Sequence, residues 1–120
     1  MLRMLAPGAA LRHLALKSRD LAATERFYLD VLGFEAAFRH ERMLFLRSPA
    51  GDDLLSFSET RARFHPNAGG FEHFGVSVPR AHWRAMLASL RRRVEIRGRR
   101  GRVAVFVEDP NGYSVELYRD

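Results

Sequence analysis

The chain has no cysteine. That excludes a disulfide framework, a thiolate nucleophile and thiolate metal ligands, so any reactive site must be built from histidine, carboxylate or water. A cytoplasmic location is the default expectation. Long apolar runs are missing as well, and nothing approaches the roughly 20 apolar residues of a membrane-spanning helix. The apolar opening, residues 1–10, is interrupted by Pro7 and Gly8 before a signal-type core of about 7 to 15 residues can form, and reads as a short leading arm. Negative charge is also scarce. Against 20 Lys plus Arg, nearly all of them arginine, stand 14 Asp plus Glu, a formal net charge of +6 that favours anionic ligands. The densest cluster is Arg91, Arg92, Arg93, Arg97, Arg99, Arg100 and Arg102. No aromatic residue interrupts it, so it lacks the stacking groups of a nucleic-acid surface. It reads as a solvated basic face that steers an anionic substrate, not as a nucleic-acid site.

At 120 residues the chain is long enough for one core and too short for two ordinary domains, and 47% apolar with 28% charged residues fits a soluble globular protein. Yet an internal repeat of 60 residues runs through it. His13 falls on His73, Phe34 on Val94, Glu35 on Glu95, Leu54 on Ser114, Ser56 on Glu116 and Phe57 on Leu117, without a gap. The expected organisation is one domain over residues 1–120, made of a half-repeat 11–58, a connector 59–70 and a half-repeat 71–119.

Periodicity gives both halves the same plan. Residues 11–17 alternate, with Leu14 and Leu16 on one face and His13, Ala15 and Lys17 on the other. Asp20 is a candidate N-cap for a helix carrying Leu21, Thr24, Phe27, Tyr28, Val31 and Leu32 at helical spacing, which Gly33 stops. Strands are expected over about 34–39, 42–47 and 54–58. In the second half, residues 71–78 set Phe74, Val76 and Val78 against His73, Gly75 and Ser77. A helix over about 80–92 carries the stripe Trp83, Met86, Leu87 and Leu90. Strands near 94–97 and 103–107 lead to the turn Asp109-Pro110-Asn111-Gly112. The last strand, 113–119, puts Ser114, Glu116 and Tyr118 on one face.

His13, His73 and Glu116 therefore all lie on strand faces opposite the aliphatic rows. Two imidazoles and a carboxylate placed by one repeat read as the ligands of one divalent metal, Fe, Mn, Ni, Co or Zn, with positions left for water and substrate. Hydrogen-bonded core histidines and a Glu116–arginine pair are the alternative. Ala15, Lys17, Ser56, Ser77, Ser114 and Tyr118 share these faces and are expected to line the cleft, with Tyr118 and Lys17 as candidate catalytic groups. His40, His65 and His82 read as surface residues.

The segments carrying His13, Asp20-Leu21 and Phe27-Tyr28-Leu29-Asp30-Val31-Leu32-Gly33-Phe34, then Glu72-His73-Phe74-Gly75, then residues 109–117, resemble the vicinal oxygen chelate superfamily. Its members include glyoxalase I, extradiol dioxygenases, fosfomycin-resistance enzymes and bleomycin-binding proteins. The resemblance covers about residues 11–119. It implies an α+β fold of two tandem βαβββ units whose mixed sheets curl into a cleft with helices outside. It also implies a metal in the cleft and a homodimer.

No subfamily pattern is matched throughout. The fourth ligand and base of glyoxalase I falls on Ser56, and Glu59 lies on the wrong strand face to replace it. Extradiol enzymes place a His and a Tyr before the final Asp-Pro turn, where residues 98–107 have neither. Fosfomycin transferases carry Thr where Ala15 stands. The expected function is a metal-dependent Lewis-acid enzyme of the glyoxalase and dioxygenase type, acting on a small, anionic, oxygen-rich substrate. Alternatives are an extradiol-type ring-cleaving dioxygenase, a metal-free protein that sequesters a ligand, as bleomycin-resistance proteins do, and an arginine-rich interaction module.

Overall fold

Asp20 begins the first helix as its residue type suggests. The computed structural model, which describes residues 4–120, runs strand β1 (His13–Ser18) into helix α1 (Leu21–Asp30) through an extended Asp20 whose side chain accepts the Ala23 N–H at 2.9 Å. Beyond α1, Gly33 adopts φ +74°, and the chain reverses so that the Phe34 N–H reaches the Tyr28 carbonyl at 2.8 Å. Strands β2 (Glu35–His40), β3 (Met43–Arg47) and β4 (Leu54–Glu59) complete the half.

The second half runs β5 (Phe74–Val78), a 3₁₀ turn (Arg80–His82), α2 (Trp83–Arg91), β6 (Gly98–Arg100), β7 (Ala104–Glu108) and β8 (Ser114–Arg119). The sheets have the same order, β1-β4-β3-β2 and β5-β8-β7-β6. In each, the first strand runs parallel to the last, and the other neighbours are antiparallel. The fold is α+β, two βαβββ units. Strand β1, which carries His13, and β5, which His73 immediately precedes, are both sheet edges.

Three sequence expectations need correction. The strand expected near 94–97 lies at Gly98–Arg100 instead. Val94 and Ile96 are half-buried against the α2 side of the core, so their β-branched character serves packing. Pairing starts only where the Arg97 N–H meets the Phe106 carbonyl at 2.8 Å. The helix expected from residue 80 starts as the 3₁₀ turn, and the α-helix itself begins at Trp83. The first strand also starts at His13, because Leu11 is exposed.

One buried cluster centres on Tyr28, Leu44, Leu46 and Phe57, the other on Leu90, Val105, Val107 and Val115. Phe27, Leu32, Phe74 and Val76 pack on both, so the helix sides of the two sheets share one apolar interior. Each large side chain fully buried there contributes about 1.5–3 kcal/mol. Polar bonds join the halves too. The Tyr28 hydroxyl donates to Asp109 Oδ2 at 2.8 Å, and the Tyr113 hydroxyl donates to the Lys17 carbonyl at 2.8 Å while accepting the Lys17 N–H at 3.1 Å. That phenol satisfies part of β1's otherwise unpaired edge. Among the described residues no helix is long and apolar enough to cross a membrane.

Candidate functional site

Alternation along β1 turns Leu14 and Leu16 toward the core and leaves His13, Ala15 and Lys17 on the open face of the first sheet. In the parallel ladder His13 lies beside Leu54 and Ala15 beside Ser56. The His13 imidazole reaches over to Ser56, with Nε2 at 3.2 Å from Oγ, and Ser56 is buried beneath it. Phe45 pairs with Ser56 on this same face, and its ring stacks on the half-exposed Phe38 at 4.2 Å.

The second sheet repeats the arrangement. His73 immediately precedes β5, Gly75 lies beside Glu116, and His73 Nε2 is 3.8 Å from Glu116 Oε1. His73 Nδ1 faces the exposed Glu72 at 3.6 Å, and its ring stands edge-on to Phe106 at 5.2 Å. Tyr118 leans over Gly75 from the other side. A Cβ there would lie 3.0 Å from Tyr118 Cε1 and 3.4 Å from Glu116 Oε1, so the absence of a side chain at Gly75 lets both groups close over β5. Ser77 is in register with Tyr118, and Ser114, half-buried, with Glu108.

Glu116 is 8% exposed, and its second oxygen is held. Arg100 donates to Oε2 through Nε at 3.1 Å and Nη2 at 2.9 Å. Oε1 accepts no hydrogen bond among the described residues and faces His73.

The sequence-derived residues thus fall into two groups. His13, Ala15, Lys17 and Ser56 share one sheet, and His73, Ser77, Ser114, Glu116 and Tyr118 the other. The two candidate catalytic groups, Lys17 and Tyr118, are divided between them. Among the described residues no three His, Asp or Glu side chains converge as a metal cage, so His13 does not join His73 and Glu116 within one chain. As a pair, His73 and Glu116 suit a divalent ion. Donors about 2.0–2.2 Å from a common ion lie roughly 3–3.5 Å apart, and their 3.8 Å separation is a small rotation away. No third His, Asp or Glu stands with them among the described residues.

Sequence reasoning offered a Glu116–arginine pair as its alternative, which Arg100 now supplies, but it did not single out Arg100 and it missed Phe106 as a neighbour of the site. Once β6 is placed at Gly98–Arg100, alternation puts Arg100 on the Glu116 face, but the strand expected at 94–97 hid that. It read residues 109–112 as a turn and as part of the family resemblance, and gave Asp109 no partner. Asp109, 4% exposed, accepts from the Tyr28 hydroxyl, the Asn111 side chain and the N–H groups of Asn111 and Tyr113. Burial pushes its carboxyl above the usual range, outweighing those hydrogen bonds. Burial, then the Asp109 charge, pushes the Tyr28 phenol well above its ordinary value.

The model of the Glyoxalase/Bleomycin resistance protein/Dioxygenase superfamily matches residues 10–117, and the chain belongs to that superfamily. A comparison with curated proteins finds no match. Among solved structures, an integron cassette protein from the mobile metagenome of the Halifax Harbour sewage outfall is 23% identical, covering 92% of this chain and 98% of its own, with a TM-score of 0.78. A glyoxalase/dioxygenase from Nostoc punctiforme is 19% identical over 100% of this chain and 98% of its own, with a TM-score of 0.77. TnmS3, described as an antibiotic binding protein from Streptomyces sp. CB03234, is 18% identical over 92% of this chain and 95% of its own, with a TM-score of 0.69. At these identities the likeness is one of fold.

Proposed function

We propose that the chain is a divalent-metal-dependent enzyme acting on a small anion with adjacent oxygens, and that its site is shared by two copies of the chain. His73 and Glu116 of one copy would hold the ion together with His13 of the other. The observation that carries this reading is the convergence of His73 Nε2 and the unengaged Glu116 Oε1, while the equivalent histidine stands apart on the other sheet. Bound there, a metal would act as a Lewis acid on substrate oxygens. The protein's own groups would do the rest. Arg100 fixes Glu116 and presents positive charge to an anion, Phe106 holds the His73 ring upright, and Tyr118 offers a phenol beside Gly75. The net charge of +6 would draw the anion in.

The test is anaerobic metal titration of the wild type, His13→Ala, His73→Ala and Glu116→Ala, followed by mixing of two variants. Each single variant should lose the tight metal. Refolding His13→Ala with His73→Ala should restore about a quarter of the wild-type metal, because half of a two-fold dimer population is mixed and carries one intact site. Restoration of nothing would sink the shared site, and no metal in the wild type would sink the enzyme reading.

A second reading has its own support. Arg100 already neutralises Glu116, and the stacked Phe38 and Phe45 offer an aromatic platform beside Ser56. A metal-free cleft that sequesters a flat organic ligand would use both, and it is the account to adopt if the wild type takes no metal.

A further inference from the structure

Behind the second sheet, on the side away from Glu116, lies a cavity of about 560 Å³ between α2 and the β6–β7 turn. Its walls are arginine. Arg80, Arg84 and Arg91 come from one face of α2 and the turn before it, Arg99 and Arg102 from β6 and the following turn, and Arg119 from β8. Strand alternation makes the division: Arg100 turns to the Glu116 face, whereas Arg99, in register with the buried Val105, turns toward the helix. The floor is apolar, formed by Trp83 and Leu87.

Among the described residues no Asp or Glu side chain lines this cavity. Arg80 and Arg119 both donate to the main-chain oxygen of Asp120, at 2.9 and 3.3 Å. Arg84, Arg91, Arg99 and Arg102 form no ion pair among the described residues. The other members of the basic cluster are differently used: Arg97 lies near Glu95 and Glu108, and Arg93 donates to the Asp30 carbonyl and Ser89. Like charges around one concavity repel, and a multiply charged anion relieves that repulsion. Guanidinium forks match phosphate oxygens, and an apolar floor under them suits a flat organic body.

We propose that this groove is a second binding site, for a small organic di- or triphosphate, with its phosphates on Arg84, Arg91, Arg99 and Arg102 and its apolar part over Trp83 and Leu87. It is independent of the metal site, which lies on the opposite face of the sheet.

The probe is ADP, titrated without metal into the intact chain by calorimetry and by the emission of Trp83, the only tryptophan. ADP should bind saturably, pyrophosphate more weakly and adenosine not at all. Arg99→Gln combined with Arg102→Gln should weaken ADP at least about tenfold, since two charge-assisted contacts are removed, while the metal titration stays as in the wild type. No saturable heat with ADP, an unchanged affinity in the double variant, or pyrophosphate binding as tightly as ADP would each overturn the proposal. Duplex DNA that displaces ADP with a steep salt dependence lost in the same variant would also overturn it, in favour of a nucleic-acid surface.

Discussion

Arg100 reaches across β7 to hold Glu116 Oε2 with two N–H groups, at 3.1 and 2.9 Å, and leaves Oε1 facing His73. One side chain is therefore both the partner of the carboxylate and the rival of any cation that approaches it. The consequence for binding has a definite sign. Charges a few ångströms apart near a protein surface interact by about 1–4 kcal/mol, so Arg100→Gln should raise divalent-metal affinity by about tenfold. Calorimetric titration beside the wild type measures this. The same variant should weaken an anionic substrate, visible as a higher KM.

Gly75 lies where Glu116 and Tyr118 both lean over β5. Gly75→Ala puts a Cβ 3.0 Å from the Tyr118 ring and 3.4 Å from Glu116 Oε1. The backbone tolerates alanine in a strand, so the variant should fold. The expected loss is at the site, with weaker metal binding and a denaturation midpoint close to the wild type. An unchanged metal affinity would show that the close approach of these groups is unimportant.

Tyr28 and Asp109 tie α1 of the first half to the turn before β8. Tyr28→Phe removes a buried hydrogen bond to a carboxylate, so urea denaturation at neutral pH should show a loss of about 1.5–3 kcal/mol. The native phenol has a raised pKa, so it binds its proton more tightly folded than unfolded. Its contribution is complete below the ordinary tyrosine value of about 10 and is lost as pH rises through the native value. Alkaline destabilisation should therefore be less steep in Tyr28→Phe than in the wild type.

Asp109 has the same sign at lower pH. Its carboxyl is raised by burial, so the stability it contributes is present below the ordinary aspartate value of about 3.9 and lost as pH rises through its native value. A plot of unfolding free energy against pH should carry a downward step that begins in the normal carboxylate range and runs above it. Asp109→Asn should lack that step, though the amide cannot accept from every donor that Asp109 serves, and the variant should be less stable overall.

Gly112 adopts φ +91°, and a Cβ on it would lie 2.8 Å from Pro66 Cγ. Gly112→Ala meets a forbidden backbone region and the connector at once. A loss of about 1–3 kcal/mol is expected from strain of this kind, measured by chemical denaturation. Gly33→Ala, strained by φ alone with open space around it, should cost less.

The 60-residue repeat foretold identical halves because strand and helix periods are local and survive in the order of residues. The same offset appears in the parallel ladders, where Ala15 lies beside Ser56 and Gly75 beside Glu116, since register within a parallel pair is set by which faces are apolar. The displaced strand shows where local reading fails. Val94 and Ile96 look like a strand by propensity, but the core claims them, and pairing passes to the less apolar Gly98–Arg100. Arg100 was hidden by that shift.

By itself the sequence determined the kinds of donor available, the faces they occupy and the repetition of the unit, because alternation and turn chemistry act between near neighbours. Tertiary structure alone decided which donors meet. It joined the halves through Tyr28, Asp109 and Tyr113, gave Glu116 to Arg100, kept His13 from the pair of His73 and Glu116, and divided the arginines between two faces of one sheet. Those outcomes depend on how two sheets pack across a shared interior, a relation between residues far apart in the chain that no local period encodes.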